Sequence, residues 1–257
     1  MNKELILKIA KVLSVFWYFI PSKIRRKIFF GLFVIESRKL NSEDNLKNLF
    51  QILDDLQLVI NEQSMKYGKG EHPKHRLTMY HQFFIDRILS NQSVIDIGCG
   101  YGAVARSIAY ARPKVNVMGV DQDKGRLKQA KEANNPKNLS FLEADATCEL
   151  SIGKWDVVVL SNVLEHVKER IEFLIDIQKN IQPEKILLRV PMFERDWQMP
   201  LKKEIKVNYL SDPDHKIEHT LDEFNKETNK AGLKIKEIKT IWGEIWAECL
   251  PIKNMRS

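Results

Sequence analysis

The sequence predicts an α/β fold in which helices cover both faces of a parallel sheet, preceded by a helical extension. From Ser93 onward, short apolar runs alternate with amphipathic stretches, which is typical of a doubly wound sheet. One of these runs enters a glycine-rich turn at Val94–Gly102 that a helical pattern follows. Long apolar stretches at helical spacing assign residues 1–70 to the extension and residues 71–257 to the main domain.

The extension is predicted to contain three helices. Its first apolar stretch, Leu5–Ile20, is interrupted by Lys8 and Lys11, and it falls short of the roughly 20 apolar residues that a membrane span needs. We expect no signal peptide, since no small-residue cleavage site follows. Ser22 is suited to cap the second helix. That helix opens on a basic cluster of Lys23, Arg25, Arg26 and Lys27.

Seven strands are predicted in the main domain. They are Val94–Ile97, Val115–Val120, Ser140–Leu142, Asp156–Leu160, Ile186–Val190, Leu233–Ile238 and Glu244–Leu250. Helical patterns between them include Ala103–Ala111, Lys124–Ala133 and Val163–Lys179. The last two strands are joined closely through Lys239–Gly243, which predicts an antiparallel hairpin.

Composition narrows the class of protein. Hydrophobic residues at 44% and charged residues at 29% of 257 positions are ordinary for a folded domain. The net charge of +7 favours an anionic partner or a solvated basic surface. We expect no nucleic-acid partner, because no RNA- or DNA-binding module is recognisable. Three scattered cysteines, Cys99, Cys148 and Cys249, are too few for a disulfide framework and indicate a reducing compartment, the cytoplasm.

The glycine turn indicates the kind of ligand. Gly98, Gly100 and Gly102 let the backbone bend sharply and let a ligand approach without meeting a Cβ atom. The free N–H groups of the following helix suit an anion such as a carboxylate. The same glycines satisfy a relaxed dinucleotide fingerprint, so an NAD-type oxidoreductase is one alternative. Asp96 favours a cationic ligand instead, because a carboxylate there repels a diphosphate and attracts an ammonium or sulfonium group.

Polar residues follow the next strands at the same edge of the sheet, where open α/β sheets bind ligands. Asp121 ends the second strand and is placed to accept hydrogen bonds from ribose hydroxyls, a feature that dinucleotide binders share. Asp145 follows the third strand and is placed to accept from an adenine amino group. Ser161 and Asn162 follow the fourth.

The segments Val94–Gly102, Val120–Asp123, Glu143–Ala146 and Trp155–Val167 resemble, in order and spacing, the motifs of class I S-adenosylmethionine-dependent methyltransferases. This resemblance covers about residues 93–190. It implies S-adenosylmethionine as cofactor and a Rossmann-like seven-stranded sheet in the order 3-2-1-4-5-7-6 with strand 7 antiparallel. The cofactor-binding residues it implies are Asp96, Gly98, Cys99, Gly100, Gly102, Asp121, Gln122, Asp145, Ala146, Ser161 and Asn162.

A helical segment before the first strand adds two candidates. Leu77, Phe84 and Ile88 form its predicted apolar face. In related methyltransferases a helix at this place often closes over the methionine end of the cofactor, and by that analogy Arg76 or Tyr80 would hold its carboxylate. The alternative is a basic, solvated helix face.

A long connection, Pro191–His219, follows the fifth strand, and long loops at ligand-binding edges tend to be functional. Asp214, His215 and His219 are the candidates there for binding the acceptor and removing its proton, because a histidine is a suitable base near neutral pH. His166 is a further candidate base, with helix packing as the alternative. We expect no metal ion, since isolated Asp–His pairs are usually hydrogen-bonded caps.

The sequence therefore predicts O-methylation, in preference to N-methylation, of a small-molecule, sugar or lipid-linked glycan acceptor. A non-catalytic, membrane-associated scaffold with a nucleoside fold is a second alternative. Residues 1–40 motivate it, because an apolar face beside a basic cluster suits peripheral contact with the inner face of a membrane. Packing of that face on the domain or on a second subunit is the competing interpretation. The sequence does not determine the oligomeric state.

Overall fold

The apolar runs form one seven-stranded sheet in the computed structural model, which describes residues 3–147 and 153–252. The strands are β1 Ser93–Ile97, β2 Asn116–Asp121, β3 Leu139–Glu143, β4 Val157–Ser161, β5 Lys185–Pro191, β6 Leu233–Ile241 and β7 Glu244–Pro251. Their order is β3-β2-β1-β4-β5-β7-β6. Neighbours from β1 to β5 are parallel, whereas β7 is antiparallel to both β5 and β6. The predicted order and the terminal hairpin are confirmed.

Helices cover the sheet and form the N-terminal region. In chain order they are α1 Lys3–Trp17, α2 Ser22–Glu36, α3 Ser42–Tyr67, α4 Lys74–Thr78, α5 Tyr80–Ile85, α6 Ala103–Ala111, α7 Lys124–Glu132, α8 Arg170–Asn180, α9 Gln198–Glu204 and α10 Leu221–Lys230. Single turns of 3₁₀ helix lie at Leu164–His166 and Phe193–Arg195. A capping box at Thr220 starts α10: its side chain accepts from the Glu223 N–H, and the Glu223 side chain accepts from the Thr220 N–H.

Two apolar layers flank the central strands. Alternate residues of a strand point to opposite faces, and the buried side chains divide accordingly. Ile95, Leu160 and Leu188 pack in one cluster with α8 and α10, whereas Val94, Val159 and Leu187 pack in the other with α5 and α6. The central strands are therefore mostly apolar on both faces, with Asp96 in β1 and Arg189 in β5 as buried exceptions, and the edge strand β3 is only partly buried.

Two predicted helices differ from those observed. The segment from Lys74 is interrupted at Met79, whose φ of 54° is left-handed, so α4 and α5 are separate helices. Leu77 is exposed, whereas Phe84 and Ile88 are buried; the predicted apolar face was wrong for Leu77. The helix predicted from Val163 begins at Arg170 instead, after an irregular segment that contains the 3₁₀ turn.

The chain divides into two compact units, residues 1–64 with 204–207, and residues 65–203 with 208–257. The domain boundary expected near residue 70 stays a prediction. Within the first unit, Trp17 of α1 packs edge-on against Phe29 of α2, with ring centroids 5.5 Å apart. No described helix is both long enough and apolar enough to cross a bilayer. Cys148 lies outside the described residues.

Candidate active site

The glycine turn lies at the carboxyl end of β1 and is tied to the end of β2. Gly98 and Cys99 donate their N–H groups to the carbonyl oxygen of Val120, at 2.8 and 3.0 Å. Gly100 donates its N–H to Oδ2 of Asp121 at 2.7 Å. The turn is thus held in place by the second strand, and Asp121 is one of its anchors.

The three glycines of this turn are required for different reasons. All have positive φ, between 54° and 72°, where an L side chain is strained. A Cβ atom on Gly98 would lie 2.6 Å from Val163 Cγ2, and one on Gly102 would lie 2.6 Å from the Phe141 ring. A Cβ atom on Gly100 would meet no described neighbour within 4 Å. Gly98 and Gly102 are therefore fixed by packing, whereas Gly100 borders open space that a ligand can fill.

Asp96 is buried one residue before the end of β1. Its Oδ2 accepts a hydrogen bond from the Ala105 N–H in the first turn of α6, at 3.1 Å. Burial raises the pKa of Asp96 to about 7, against the lowering effect of that hydrogen bond. Asp96 thus caps neighbouring backbone. A buried carboxyl with this pKa is nonetheless receptive to a cation, which would favour its ionised form.

Asp121 ends β2 and uses both carboxylate oxygens. Oδ2 accepts from Gly100, and Oδ1 accepts from the Asp123 N–H at 2.8 Å. Each carboxylate oxygen has a second lone pair, so both oxygens retain capacity for a ligand hydroxyl. The predicted ribose contact is compatible with this arrangement and stays a prediction.

The remaining candidates for cofactor binding near the adenine lie around the ends of β2 and β3. Asp145 accepts from the Thr147 N–H and hydroxyl at 2.9 and 2.6 Å. Ala146 is buried and Gln122 is exposed. Cys99 is partly buried and packs where a Cβ on Gly119 would lie 2.9 Å from its sulfur. Burial raises the pKa of its thiol, so Cys99 fills space in the protonated, unreactive form.

Asn162 immediately follows β4 with left-handed backbone at φ 57°. Its N–H donates to the Arg189 carbonyl oxygen at 2.8 Å, while its side-chain Oδ1 is buried with no hydrogen-bond partner in the described structure. Ser161 accepts a bond from Arg189 Nη1 at 3.3 Å. A buried amide oxygen without a partner is uncommon and suits a ligand donor.

Arg189 was missed by the sequence analysis. It is buried in β5, forms a bidentate ion pair with Glu244, and stacks on the Tyr80 ring with its guanidinium carbon 3.8 Å from the centroid. The Tyr80 hydroxyl is hydrogen-bonded to His75 Nδ1 at 2.7 Å, and burial raises its pKa to about 12. The structure therefore brings Tyr80 to β5, whereas Arg76 is exposed. The sequence did contain a signal for Arg189, since it is an arginine within a mostly apolar predicted strand.

A second missed residue, Glu165, forms a cluster with two predicted ones. The ligand atoms of Glu165, His166 and His215 all lie within 4.8 Å of one another; we call these three residues the Glu165 cluster. The two imidazole rings meet edge to face with centroids 4.7 Å apart. Glu165 is fully buried, and burial raises its pKa to about 7. The 3₁₀ turn after β4 supplies Glu165 and His166, and the long loop after β5 supplies His215.

The other loop candidates lie elsewhere. His219 is fully buried, and its Nε2 is 3.0 Å from Glu227 Oε2 on α10. Glu227 also receives two hydrogen bonds from Arg170 Nε, at 2.9 and 3.1 Å, and one from Nη2 at 2.6 Å. Asp214 is exposed, with its N–H donated to Asp212 Oδ1 at 3.0 Å. The structure thus joins His215 to His166 and places His219 in an ion-pair network between α8 and α10.

A family model described as a methyltransferase domain matches residues 95–188, which span β1 to β5. The matched segment resembles the methyltransferase domain of class I S-adenosylmethionine-dependent enzymes. The sheet order and the glycine turn agree with that match. The methyl donor of the class is S-adenosylmethionine.

Among curated relatives, the mitochondrial ubiquinone biosynthesis O-methyltransferase of Saccharomyces cerevisiae is 31% identical over 109 residues, which cover 40% of this chain and 34% of that protein. The chain thus matches about a third of that relative's length. Two solved structures share the fold. An O-methyltransferase family 2 protein from Planctomyces limnophilus, in complex with apigenin, has a TM-score of 0.54 at 16% identity, covering 66% of this chain and 56% of that one. Coclaurine N-methyltransferase, bound to N-methylheliamine and S-adenosylhomocysteine, has a TM-score of 0.51 at 19% identity, covering 64% of this chain and 50% of that one.

Proposed function

We propose that this protein transfers the methyl group of S-adenosylmethionine to a hydroxyl oxygen of a small-molecule acceptor. The observation that carries the proposal is the open space at Gly100, on a turn anchored by Asp121 and close in sequence to the buried Asp96. A bare backbone beside carboxyl groups suits a cationic nucleoside and disfavours a diphosphate.

The side chains present fit this cofactor. Asp96 would face its positive charge, and Asp121 would accept from the ribose hydroxyls. Asp145 would accept from the adenine amino group, and the unpartnered Asn162 Oδ1 would accept from a further donor. The bound cofactor supplies a methyl group already activated by the sulfonium. The protein must hold the acceptor oxygen in line with that group, exclude water and accept the acceptor's proton.

Oxygen is favoured over nitrogen as the acceptor atom because a hydroxyl must lose a proton before or during transfer, and proton acceptors are clustered at this edge. His166 is exposed and His215 is held beside it. His219 and Asp214 do not join them, so we assign acceptor activation to the Glu165 cluster. The names of several curated relatives specify O-methyltransferases, which supports the same choice; the structural neighbour bound to N-methylheliamine represents the alternative.

The experiment that tests the proposal is calorimetry with S-adenosylmethionine, S-adenosylhomocysteine and NAD, followed by transfer of a labelled methyl group. We expect the two sulfur nucleosides to bind and NAD not to. The variant Asp121→Asn should bind them more weakly, because its amide NH₂ would face an N–H of the turn. Asp123→Asn is the matched control, because the Asp123 side chain caps α7 and pairs with Arg126 in the first turn of the same helix, and asparagine caps equally well.

Label should then pass to phenolic compounds or to the small-molecule fraction of a cell extract, with release of S-adenosylhomocysteine. Binding of NAD in preference to S-adenosylmethionine would overturn the cofactor assignment. Label that is recovered only in protein or nucleic acid would overturn the acceptor class.

We further propose that α1 and α2 attach the protein peripherally to an anionic membrane, which would make a lipid-linked glycan a natural acceptor. The support is the exposure of large apolar side chains on these helices and in the turn between them: Phe16, Phe19, Phe30 and Ile35 are all exposed, Phe19 by 81%. The basic cluster at the start of α2 precedes two of them, Phe30 and Ile35, in the same helix. Apolar side chains beside positive charge are suited to the interface of anionic lipids.

Flotation of the full chain with phosphatidylcholine vesicles, with and without phosphatidylglycerol, tests this attachment. We expect flotation that needs the anionic lipid and is lost in Phe16→Asp/Phe19→Asp. Tyr67→Asp, at an equally exposed aromatic residue of α3, should float like the wild type. Equal flotation of all three proteins, or none by the wild type, would remove the proposal.

A further inference from the structure

We infer that the Glu165 cluster binds a divalent first-row transition-metal ion, contrary to the expectation from sequence that the site holds no metal. The cluster offers one carboxylate and two imidazoles, with all three ligand atoms within 4.8 Å of one another. Ligand atoms at about 2.1 Å from a tetrahedral ion lie about 3.4 Å apart. Side-chain shifts of about 1 Å would therefore close the three ligands on an ion.

Glu165 provides the first independent observation. Its side chain has no exposed surface, and both carboxylate oxygens lack a hydrogen-bond partner among the described residues. A buried carboxylate without a partner is costly and therefore rare, and the usual compensation is a cation or a hydrogen-bond donor. Nε2 of His215 lies 4.0 Å from Oε1. A metal ion between these two atoms would satisfy the carboxylate.

His215 provides the second observation, because its ring is oriented as a metal ligand. Its Nδ1 lies 3.2 Å from Glu218 Oε1, and Glu218 is itself held by Arg195 and by the N–H and hydroxyl of Ser211. A carboxylate at Nδ1 places the proton on that nitrogen and leaves the lone pair on Nε2, which faces Glu165. Metal-bound histidines commonly have such a carboxylate partner, which fixes the tautomer and the ring orientation.

The backbone fixes these ligands relative to each other. The Lys216 N–H donates to the Glu165 carbonyl oxygen at 2.7 Å, so the loop that carries His215 is attached to the 3₁₀ turn. His166, the next residue in that turn, is exposed while Glu165 and His215 are buried. An ion held by all three would consequently be reached from solvent through the side where His166 lies.

The ligand set selects the class of ion. Two imidazoles and one carboxylate suit Zn²⁺, Mn²⁺, Fe²⁺ or Co²⁺, whereas Mg²⁺ and Ca²⁺ prefer oxygen ligands. Three protein ligands leave at least one coordination position open. This position suits an acceptor hydroxyl, whose pKa falls on metal binding; this role, unlike the metal site, rests on the proposed function. With both imidazoles bound to the ion, the cluster would activate the hydroxyl through the metal and not as a base: the hydroxyl proton passes to water, the oxygen lone pair forms the new O–CH₃ bond, and the C–S bonding pair returns to sulfur.

Zinc titration of the full chain tests the metal site, with any affinity tag removed and the protein dialysed against a chelator. We expect one Zn²⁺ per chain by calorimetry and a higher Tm in the presence of Zn²⁺, because an ion that binds only the native state stabilises it. Glu165→Gln and His215→Ala should weaken binding by at least the roughly 10- to 100-fold that loss of a metal's outer-shell partner costs. Glu165→Gln should also lose the Zn²⁺-dependent rise in Tm.

The matched control is His75→Ala. It removes a histidine from a second histidine pair, outside the Glu165 cluster, in which His75 Nδ1 and His81 Nε2 are 3.3 Å apart. This control should bind Zn²⁺ like the wild type. Absence of a one-to-one site, or unchanged affinity in both Glu165→Gln and His215→Ala, would overturn the inference, as would loss of the site in His75→Ala alone. Binding of S-adenosylmethionine is measured separately, in the presence of chelator. If the protein binds S-adenosylmethionine but not Zn²⁺, the metal inference fails while the proposed cofactor assignment stands.

Discussion

Replacing Gly100 with alanine is the sharpest perturbation of the proposed cofactor site, because it adds a methyl group with no described atom within 4 Å other than those of Gly100 and its two chain neighbours. The φ of Gly100 is 54°, and an L residue in the left-handed region costs about 1–2 kcal/mol. For a domain of this size, each kcal/mol lowers Tm by about 2–4 °C. We therefore expect Gly100→Ala to fold, with a Tm lower by about 2–8 °C.

The effect of Gly100→Ala on cofactor binding should exceed this strain. If the cofactor lies against the bare backbone, the added methyl group occupies its space. Overpacking of a well-packed contact costs about 1–3 kcal/mol, which corresponds to about a 5- to 150-fold weaker affinity. Calorimetry with S-adenosylmethionine and S-adenosylhomocysteine should show this loss for both ligands, since they share the nucleoside.

Gly153→Ala is the matched control for this substitution. Gly153 also has positive φ, 81°, and a Cβ there would meet no described neighbour within 4 Å, but it lies outside the glycine turn. The control should have a comparable fall in Tm and unchanged cofactor affinity. If Gly100→Ala binds both nucleosides as tightly as Gly153→Ala does, the space at Gly100 is not the cofactor site and the reasoning is refuted.

Three further predictions concern charge and packing around the same sheet. Burial raises the pKa of Asp96 to about 7, so its negative charge is lost below that pH. Calorimetry between pH 8 and 6 should therefore show the affinity for the cationic cofactor falling by up to about tenfold per pH unit. The fall should be steeper than in Asp96→Asn, which has no charge to lose. In the ligand-free protein this raised pKa makes Asp96 destabilising as the pH rises from about 4 to 7. Hydrogen bonds from His219 and Arg170 lower the pKa of Glu227 to about 2 against the effect of burial, so its contribution to stability is present above about pH 4.5 and is lost as the pH falls toward 2. Glu227→Ala should lower the free energy of unfolding in urea by about 1.5–3 kcal/mol at pH 7 and leave cofactor affinity unchanged; a large loss of affinity would place this network in the site. Gly102→Ala should lower Tm more than Gly100→Ala does, because its Cβ would press on the Phe141 ring; equal melting of the two variants would contradict this packing argument.

Local patterns in the sequence were sufficient for the strands and the glycine turn. All seven predicted strands are present, with ends displaced by at most three residues. Strand formation here depends on continuous apolar runs, and a turn of this kind depends on glycines at fixed positions, so both are visible in the order of residues. The kink at Met79 was not visible, because a left-handed methionine is stabilised by its surroundings rather than by its own preference.

The histidines show where such patterns stop being informative. His215 and His219 are four residues apart and equivalent as sequence candidates, yet one faces Glu165 and the other faces Glu227. Loop residues have no period that fixes the direction of their side chains, so the contacts of the loop decided between them. Glu165 was overlooked for a related reason: a glutamate in a polar segment is normally solvated, and only the packed structure shows that this one is buried.

The sequence by itself determined the class of domain, the strand order that the resemblance implies, and the glycine turn that borders the proposed cofactor site. These depend on local backbone preferences and on apolar periodicity, which each segment carries independently of the rest. The tertiary structure alone decided which titratable side chains meet, because residues 165 and 215 become neighbours only after β5 is inserted beside β4 and the following loop returns over the sheet edge. Burial then removed water from Glu165, and that loss of hydration is the physical reason why the cluster suits a cation.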